Sequence, residues 1–226
     1  MSKVITNVPD LEFSGKYTHE HARAYFHKHT DGFWRNMSNW REISIARKAL
    51  KMAGHPQTIL DLPAGTGRFW SMLAEDEARI LYGADYNQSM LNVAQEVRSQ
   101  QDVRRFEIFQ ASAFDIPRPD NYVECIFSMR LLHHVGERED RLKMLREFHR
   151  VTSDTVVLSL WVDGNHKARR RSRQERRGAK DAYQNRFVQT RDEIEVEMNE
   201  AGFEIVDHVD FLKYYSMWRI YVLRKC

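Results

Sequence analysis

Hydrophobic and polar positions along this chain alternate between two periods. Short apolar runs that read as strands occupy Thr58 to Leu62, Arg79 to Ala84, Phe106 to Phe109, Tyr122 to Ser128 and Thr155 to Trp161. Helical spacing fills the intervals. From Asp10 to Gly54 the pattern is mostly helical and rich in aromatics. Trp40, Ile43, Ala46, Arg47 and Leu50 recur on one face, and Gly54 is the expected stop. A helix is expected to follow the glycines at 65 and 67 through about Leu73, and another to start at Asn87 or Ser89 with Met90, Leu91, Ala94 and Val97 inward. A third runs from about Glu137 to His149 on Leu142, Leu145 and Phe148, and a fourth from Arg191 to Ala201, ended by Gly202. Two further strands, Phe203 to Val209 and Met217 to Leu223, close the chain.

Strands alternating with helices predict a parallel sheet covered on both faces. The run Tyr122 to Ser128 is almost unbroken in its apolarity, as a buried parallel strand requires. The closing pair of strands, with no helix between them, departs from a plain dinucleotide fold.

Between the first strand and its helix lies Asp61-Leu62-Pro63-Ala64-Gly65-Thr66-Gly67-Arg68-Phe69. Glycines let the backbone turn tightly and approach a ligand without a Cβ in the way. The following helix start offers N–H groups without partners. A dinucleotide fingerprint would place a third glycine where this chain has Trp70, and an indole there argues against NAD or FAD. Asp85 ends the second strand, where a carboxylate can accept both ribose hydroxyls of an adenosine. Tyr86 and Met90 follow closely enough to pack on its base.

This loop resembles the first motif of class I S-adenosylmethionine-dependent methyltransferases, an acid followed by glycines at alternate positions. Pro63 stands where the first glycine is common. Proline biases Leu62 to an extended conformation, which suits the last residue of a strand. The resemblance covers about residues 40 to 225. It implies an α/β, Rossmann-like sheet of seven strands in the order 3-2-1-4-5-7-6, helices on both faces and an N-terminal helical cap over 1–54. The catalytic domain would span 55–226, with a basic insertion at about 162–190.

The cofactor so implied is S-adenosyl-L-methionine, with S-adenosyl-L-homocysteine as product. Asp61 would organise the loop and the amino end of the cofactor, and Ala64, Gly65 and Gly67 would admit its backbone. Asp85 would hold the ribose. In Gln110-Ala111-Ser112-Ala113-Phe114, Ser112 stands where the family has an acid toward the adenine, Ala113 would donate its N–H, and Phe114 would stack on the ring. Met129 and Arg41 complete the expected cofactor set, Arg41 toward the carboxylate.

The fourth strand runs into Ser128-Met129-Arg130-Leu131-Leu132-His133-His134-Val135. This Leu-His-His ending is similar to that of small-molecule methyltransferases, including the ubiquinone and menaquinone group. Ligands of open parallel sheets bind at the carboxyl ends of the strands, so Arg130, His133 and His134 would face the acceptor. A histidine can serve as general base near neutral pH. A sulfonium methyl donor is already activated, however, so placement in line matters more than a base. No metal is expected, because adjacent histidines project apart and no carboxylate completes a site. The segment Tyr17 to Trp40, with Tyr17, Tyr25, Phe26, Phe33, Trp34, His19, His21, His27 and His29, would close over the cofactor.

Composition narrows the remainder. At 226 residues, with 42% hydrophobic and 30% charged residues, the chain suits one soluble globular domain. No apolar run reaches the roughly 20 residues of a membrane span. The first ten residues lack a signal-peptide pattern. Cys125 and Cys226 are the only cysteines, and no C-x-x-C pair occurs, so a reducing, cytoplasmic setting is expected.

The net charge of +3 is uneven: Lys167 to Lys180 holds eight basic residues and one acid, hence +7, which leaves −4 for the rest. Arg169, Arg170, Arg171 and Arg173 in this block suit phosphate or carboxylate groups. The partners that fit are a small or lipid-linked anionic acceptor, a membrane surface, or RNA. RNA ranks below a small or lipid-linked acceptor, since no recognition module accompanies the block. Rival readings are an RNA methyltransferase, a cofactor-binding scaffold without turnover, and an NAD-dependent oxidoreductase.

Overall fold

The computed structural model describes residues 33–176 and 185–226. The chain enters on a long helix, α1 (Phe33–Met52), and passes into β1 (Thr58–Asp61), a one-turn helix α2 (Trp70–Leu73) and β2 (Ile80–Asp85). Next come α3 (Gln88–Val97), the short α4 (Gln100–Val103), β3 (Phe106–Gln110) and β4 (Val123–Ser128). A 3-10 turn at Leu132–His134 leads to α5 (Arg138–Val151), β5 (Thr152–Trp161) and α6 (His166–Arg176). The chain ends with α7 (Arg191–Glu200), β6 (Phe203–Asp210) and β7 (Trp218–Lys225).

The strands form one sheet in the order β3-β2-β1-β4-β5-β7-β6, as expected. The first five pair in parallel, and β7 runs antiparallel to both β5 and β6. Successive side chains on a strand point to opposite faces, so each central strand feeds two cores. Leu60, Ile126, Val156, Leu158, Tyr221 and Leu223 face one core, closed by Leu142, Phe148, Ile194 and Met198 of α5 and α7. Ile59, Cys125, Phe127, Val157, Ile220 and Val222 face the other, closed by Ile45, Ala46, Ala49 and Leu50 of α1. This two-sided burial explains the unbroken apolar runs.

Several boundaries differ from the sequence expectation. Trp40 is 68% exposed, and the inward stripe of α1 is carried by Ile45, Ala46, Ala49 and Leu50. The helix after the glycine loop has only four residues, because turns occupy the chain as far as Phe69. Trp70 is fully buried and stacks on Phe106 with ring centroids 4.6 Å apart. Its indole fills the space between the turn and the sheet. A Cβ on Gly67 would lie 2.8 Å from Trp70 Cδ2, and one on Gly83 would lie 3.0 Å from Trp70 Cζ2. The room that a dinucleotide fold gives to its third glycine is thus provided by Gly67 and Gly83.

The basic segment is not a plain loop. Residues His166–Arg176 form α6, started by Asn165, whose Oδ1 accepts from the Ala168 N–H at 2.9 Å. Of the expected cap, the residues before Phe33, with Tyr17, Tyr25, Phe26 and the four histidines, lie outside the described residues, as do 177–184 of the basic insertion.

Candidate active site

The carboxyl ends of β1, β2 and β4 meet at the glycine loop. Leu62 N–H donates to Phe127 O at 3.0 Å and Ala64 N–H to Ala84 O at 2.7 Å, so the loop is stitched between its two neighbouring strands. The Leu62–Pro63 bond is cis. Gly65 and Gly67 take φ of +56° and +67°, the left-handed region that other residues avoid. Arg98 on the far end of α3 donates to Thr66 O at 2.8 Å and anchors the outer edge of the loop.

Asp85 binds the loop to β2. Its Oδ2 accepts from Gly65 N–H at 2.8 Å and its Oδ1 from Asn87 N–H at 2.9 Å. Each oxygen keeps a further lone pair. Burial pushes the Asp85 carboxyl up to about 6, against the pull of the Asn87 and Gly65 N–H groups. Asp61, at the end of β1, is 1% exposed, and neither oxygen has a hydrogen-bond partner among the described residues. Burial drives its carboxyl well above the usual carboxylate range, and the Asp85 charge adds to this. The Trp70 indole N–H lies near enough to favour the charged form, though outside hydrogen-bonding geometry. A buried, unpartnered carboxyl beside a glycine turn is costly unless a donor arrives to satisfy it.

The remaining expected cofactor residues divide into two groups. Ala64 is buried in the loop, and Met90 stands beside Gly65: among the described residues a Cβ on Gly65 would meet only Met90 Cε, at 3.8 Å. Tyr86 is 45% exposed next to Asp85, and Gln110 Nε2 donates to its carbonyl at 2.7 Å. Ser112 Oγ accepts from the Phe114 N–H at 3.2 Å within a tight turn, which holds Ala113 beyond β3. Phe114 and Met129 are buried among core side chains. The Phe114 ring is therefore part of the core, and Tyr86 is the aromatic exposed at this edge. Arg41 also departs from expectation. Its Nε donates to Phe211 O at 3.1 Å, so it ties α1 to the end of β6 rather than to the glycine loop.

The residue that α1 does send toward the loop is Glu42, which the sequence reading missed. It is 5% exposed and bridges two arginines. Arg130 Nε and Nη2 reach Oε1 and Oε2 at 2.7 and 2.6 Å, and Arg68 Nη2 reaches Oε2 at 2.7 Å. The available signal was an acid on the apolar stripe of α1, at helical spacing from Ile45, Ala46 and Ala49. Arg130 adopts φ +65°, donates its N–H to Ser159 Oγ at 2.9 Å and lies over the Trp218 ring.

Past Arg130, His133 is 3% exposed, stacked on Trp161 at 5.0 Å and met edge-on by Trp218 at 4.8 Å. Trp161 and Trp218 are direct partners across β5 and β7. Burial holds the His133 pKa well below the usual value, with His134, Arg186 and Arg130 adding to the effect. His134 is pushed down to about 4, chiefly by burial. Its Nδ1 lies 2.7 Å from Asn185 O. A carbonyl only accepts, so Nδ1 carries the proton and Nε2 is the acceptor. Both rings are therefore neutral at pH 7. Gln189 N–H donates to Trp161 O at 3.0 Å and Phe187 N–H to His133 O at 2.7 Å, which lays the end of the basic insertion over the histidine turn.

Of the four basic-block arginines, Arg171 turns inward over Trp161 and donates to Glu175 and to Arg186 O. Arg169, Arg170 and Arg173 are exposed. A separate cleft of about 180 Å³ lies against Arg47, His55, Met72 and Arg79, at the amino ends of β1 and β2. That is the wrong end of a parallel sheet for the main ligand. Among the described residues, no cluster of three or more histidine, cysteine or carboxylate side chains is placed to hold a metal ion.

Comparison with known proteins agrees with this geometry. A family described as "Methyltransferase domain" matches residues 59–155. The ubiquinone/menaquinone biosynthesis C-methyltransferase UbiE of Escherichia fergusonii is 35% identical over 117 residues, which cover 50% of this chain and 43% of the relative. The protein of the same name from Photorhabdus laumondii is 36% identical over 117 residues with the same coverage. The chain thus spans less than half the length of these curated relatives. Among solved structures, magnesium protoporphyrin IX methyltransferase ChlM from Synechocystis, with bound S-adenosylhomocysteine, superposes with a TM-score of 0.74 at 14% identity. It covers 95% of this chain and 99% of its own. The [4+2]-cyclase SpnF gives 0.60 at 17% identity over 80% of each chain. The glycine loop, the sheet order and these likenesses agree: residues 59–155 match a methyltransferase domain, and the chain has the fold of the solved methyltransferase ChlM.

Proposed function

We propose that this protein transfers a methyl group from S-adenosylmethionine to a small or lipid-linked anionic acceptor, at an oxygen, nitrogen or carbon nucleophile. The observation that carries the reading is the buried Asp61 carboxyl, without a partner among the described residues, beside a glycine loop that Asp85 holds in place. The residues fit the cofactor. Asp61 offers acceptors for an ammonium group, Asp85 has lone pairs left for ribose hydroxyls, and the bare Gly65 leaves space for a ligand backbone. Tyr86, Ser112 and Ala113 border the place of the adenine. When bound, the cofactor supplies a methyl group already activated on a positively charged sulfur.

The chain's own contribution is placement. The Glu42 bridge would fix Arg130 at the border between cofactor and acceptor, with the neutral His134 in the turn that follows. At a pKa of about 4 this imidazole is a weak base, so an acceptor that ionises readily is favoured. An anionic acceptor is supported by Arg130, Arg186 and the basic helix around the Trp161–Trp218 pair.

The relatives' names point the same way. They cite C-methylation in ubiquinone and menaquinone biosynthesis and methylation of magnesium protoporphyrin IX, which are small-molecule chemistries. The cap over 1–54 would then exclude water from the cofactor. Cys125 and Cys226, both free, accord with work in the cytoplasm. A structural neighbour named as a cyclase shows that this fold also occurs without a methyltransferase name, so methyl transfer needs its own test.

Calorimetry with S-adenosylhomocysteine should give micromolar binding that Asp85→Ala weakens at least tenfold. Incubation of cell extract with cofactor carrying an isotopically labelled methyl group should then yield a mass-shifted small or lipid-linked anion. Absence of binding would end the cofactor reading. Binding without labelled product would favour a scaffold, and labelled RNA would replace the proposed acceptor.

A further inference from the structure

Beside the candidate acceptor site, the start of α6 and the turn between β6 and β7 form one surface. His166 N–H donates to Tyr214 O at 2.9 Å and Lys167 N–H to Tyr215 O at 3.1 Å. The His166 and Tyr215 rings stack within 4° of parallel, 5.7 Å apart, and Lys167 Nζ lies over the Tyr215 ring. Underneath, Ala168 and Met217 pack with Trp161 and Trp218, which places this surface at the rim of the histidine turn.

The outer face combines two properties that rarely occur together on a solvated surface. It is apolar at its tip: Leu212 is 46% exposed, Tyr214 75% and Tyr215 49%. Tyr214 also takes φ +62°, a conformation costly for a bulky residue, and presents its ring outward. The face is cationic along its flank, where Lys167, Arg169, Arg170, Arg173 and Arg176 are exposed on α6 and Lys213 sits between Leu212 and Tyr214. The only acid of the helix, Glu175, is paired with Arg171.

We propose that this face docks the protein on an anionic lipid surface, with Leu212 and Tyr214 entering the headgroup region and the arginines of α6 lying over lipid phosphates. An aromatic or aliphatic tip flanked by lysine and arginine is the chemistry of interfacial anchoring. Each basic residue near an anionic leaflet contributes roughly a fivefold gain in partitioning, which is why several are needed. Tyrosine suits the boundary because its ring is apolar and its hydroxyl stays wet. Charge complementarity selects anionic over zwitterionic lipid. Docking in this orientation would turn the rim of the histidine turn toward the membrane, where a lipid-linked acceptor resides. The docking itself does not depend on the methyl-transfer reading.

The test is co-sedimentation of the full chain with vesicles of phosphatidylcholine alone and of phosphatidylcholine mixed with phosphatidylglycerol. The parent should bind only the anionic vesicles, and less as salt rises. Leu212→Ser with Tyr214→Gly keeps the charge and removes the tip, and glycine relaxes the backbone at position 214, so misfolding does not confound the result. This variant should lose about tenfold in partitioning. Arg169→Glu with Arg170→Glu should lose at least as much, with unchanged far-ultraviolet circular dichroism for both variants. Equal binding to both vesicle types, no binding, or full retention in the L212S/Y214G variant would each overturn the proposal. So would a single-stranded RNA oligomer that displaces the protein from vesicles and binds it more tightly than they do.

Discussion

Arg130 grips both oxygens of Glu42, across 88 residues of sequence, and Arg68 of the glycine-loop segment shares one of them. A single buried carboxylate thus joins the first described helix, the cofactor loop and the turn that carries the histidines. Removing it takes from both guanidinium groups the carboxylate they share. Glu42→Ala is expected to cost about 1–3 kcal/mol, less than a fully buried pair because Arg130 is partly exposed. Urea titration of Glu42→Ala, Arg130→Ala and the double variant checks this. The double variant should be less destabilised than the sum of the two.

Arg130 also carries backbone strain at φ +65°. Arg130→Gly loses the ion pair but relaxes the backbone, whereas Arg130→Ala loses the pair and keeps the strain. The glycine variant should be the more stable by about 1 kcal/mol. Denaturant midpoints of the two variants decide it, and equal midpoints would show that Arg130 is unstrained.

Gly65 and Gly67 share a positive φ but not their surroundings. Gly67→Ala drives a Cβ to 2.8 Å from the buried Trp70 ring and should lower stability by about 3 kcal/mol or more. Among the described residues Gly65→Ala meets only Met90 Cε at 3.8 Å, so its cost there is that of the φ, about 1–2 kcal/mol. The same methyl stands in the proposed ligand path, however. Gly65→Ala should therefore fold well below its melting point and lose S-adenosylhomocysteine binding at least tenfold by calorimetry.

Asp85 predicts a pH dependence. In the proposed role its ionised form would accept the ribose hydroxyls, so affinity for S-adenosylhomocysteine should be flat above about pH 6 and fall by up to about tenfold per unit below it. The stability contribution has the opposite sign. A carboxyl whose folded pKa is raised favours folding below its unfolded value near 3.8, and this is lost as pH rises through about 6. Asp85→Asn should thus gain about 1–2 kcal/mol at pH 8, measured by thermal unfolding, while losing ligand affinity. A variant less stable than the parent at pH 8 would show that the two N–H bonds outweigh the burial of the charge.

Arg141 and Glu197 form a buried bidentate pair, at 2.8 and 2.6 Å, and Arg141 Nη1 also donates to the carbonyls that end the histidine turn. Glu197→Ala should cost about 3–5 kcal/mol, because it strands a buried guanidinium. Replacing both by leucine and methionine should recover most of that loss in a chemical-denaturation series. Full destabilisation in the double variant would mean that the carbonyl contacts, not the pair, hold the turn.

The elements that were legible in the sequence are those whose signal is local. Strand runs such as Val123–Ser128 and the turn glycines Gly65 and Gly67 announce themselves through period, apolarity and backbone freedom. The basic block was legible as charge but not as helix α6, because its arginines mask the weak inward stripe of Ala168 and Arg171.

The sequence by itself determined the strands, their alternation with most of the helices and the acid-glycine-acid outline of the cofactor seat, since each rests on residues close in the chain, while the sheet order came only from the family resemblance. Only the tertiary structure decided which side chains of α1 reach the glycine-loop segment. Arg41 and Glu42 are neighbours in sequence, yet one step of about 100° along a helix sends Arg41 to Phe211 and Glu42 to Arg68 and Arg130. It likewise decided that Trp70 fills the gap left by Gly67 and Gly83, and that His133 is buried between Trp161 and Trp218. These outcomes depend on where distant segments come to rest against one another. That is set by packing the whole core at once, and local periodicity carries no record of it.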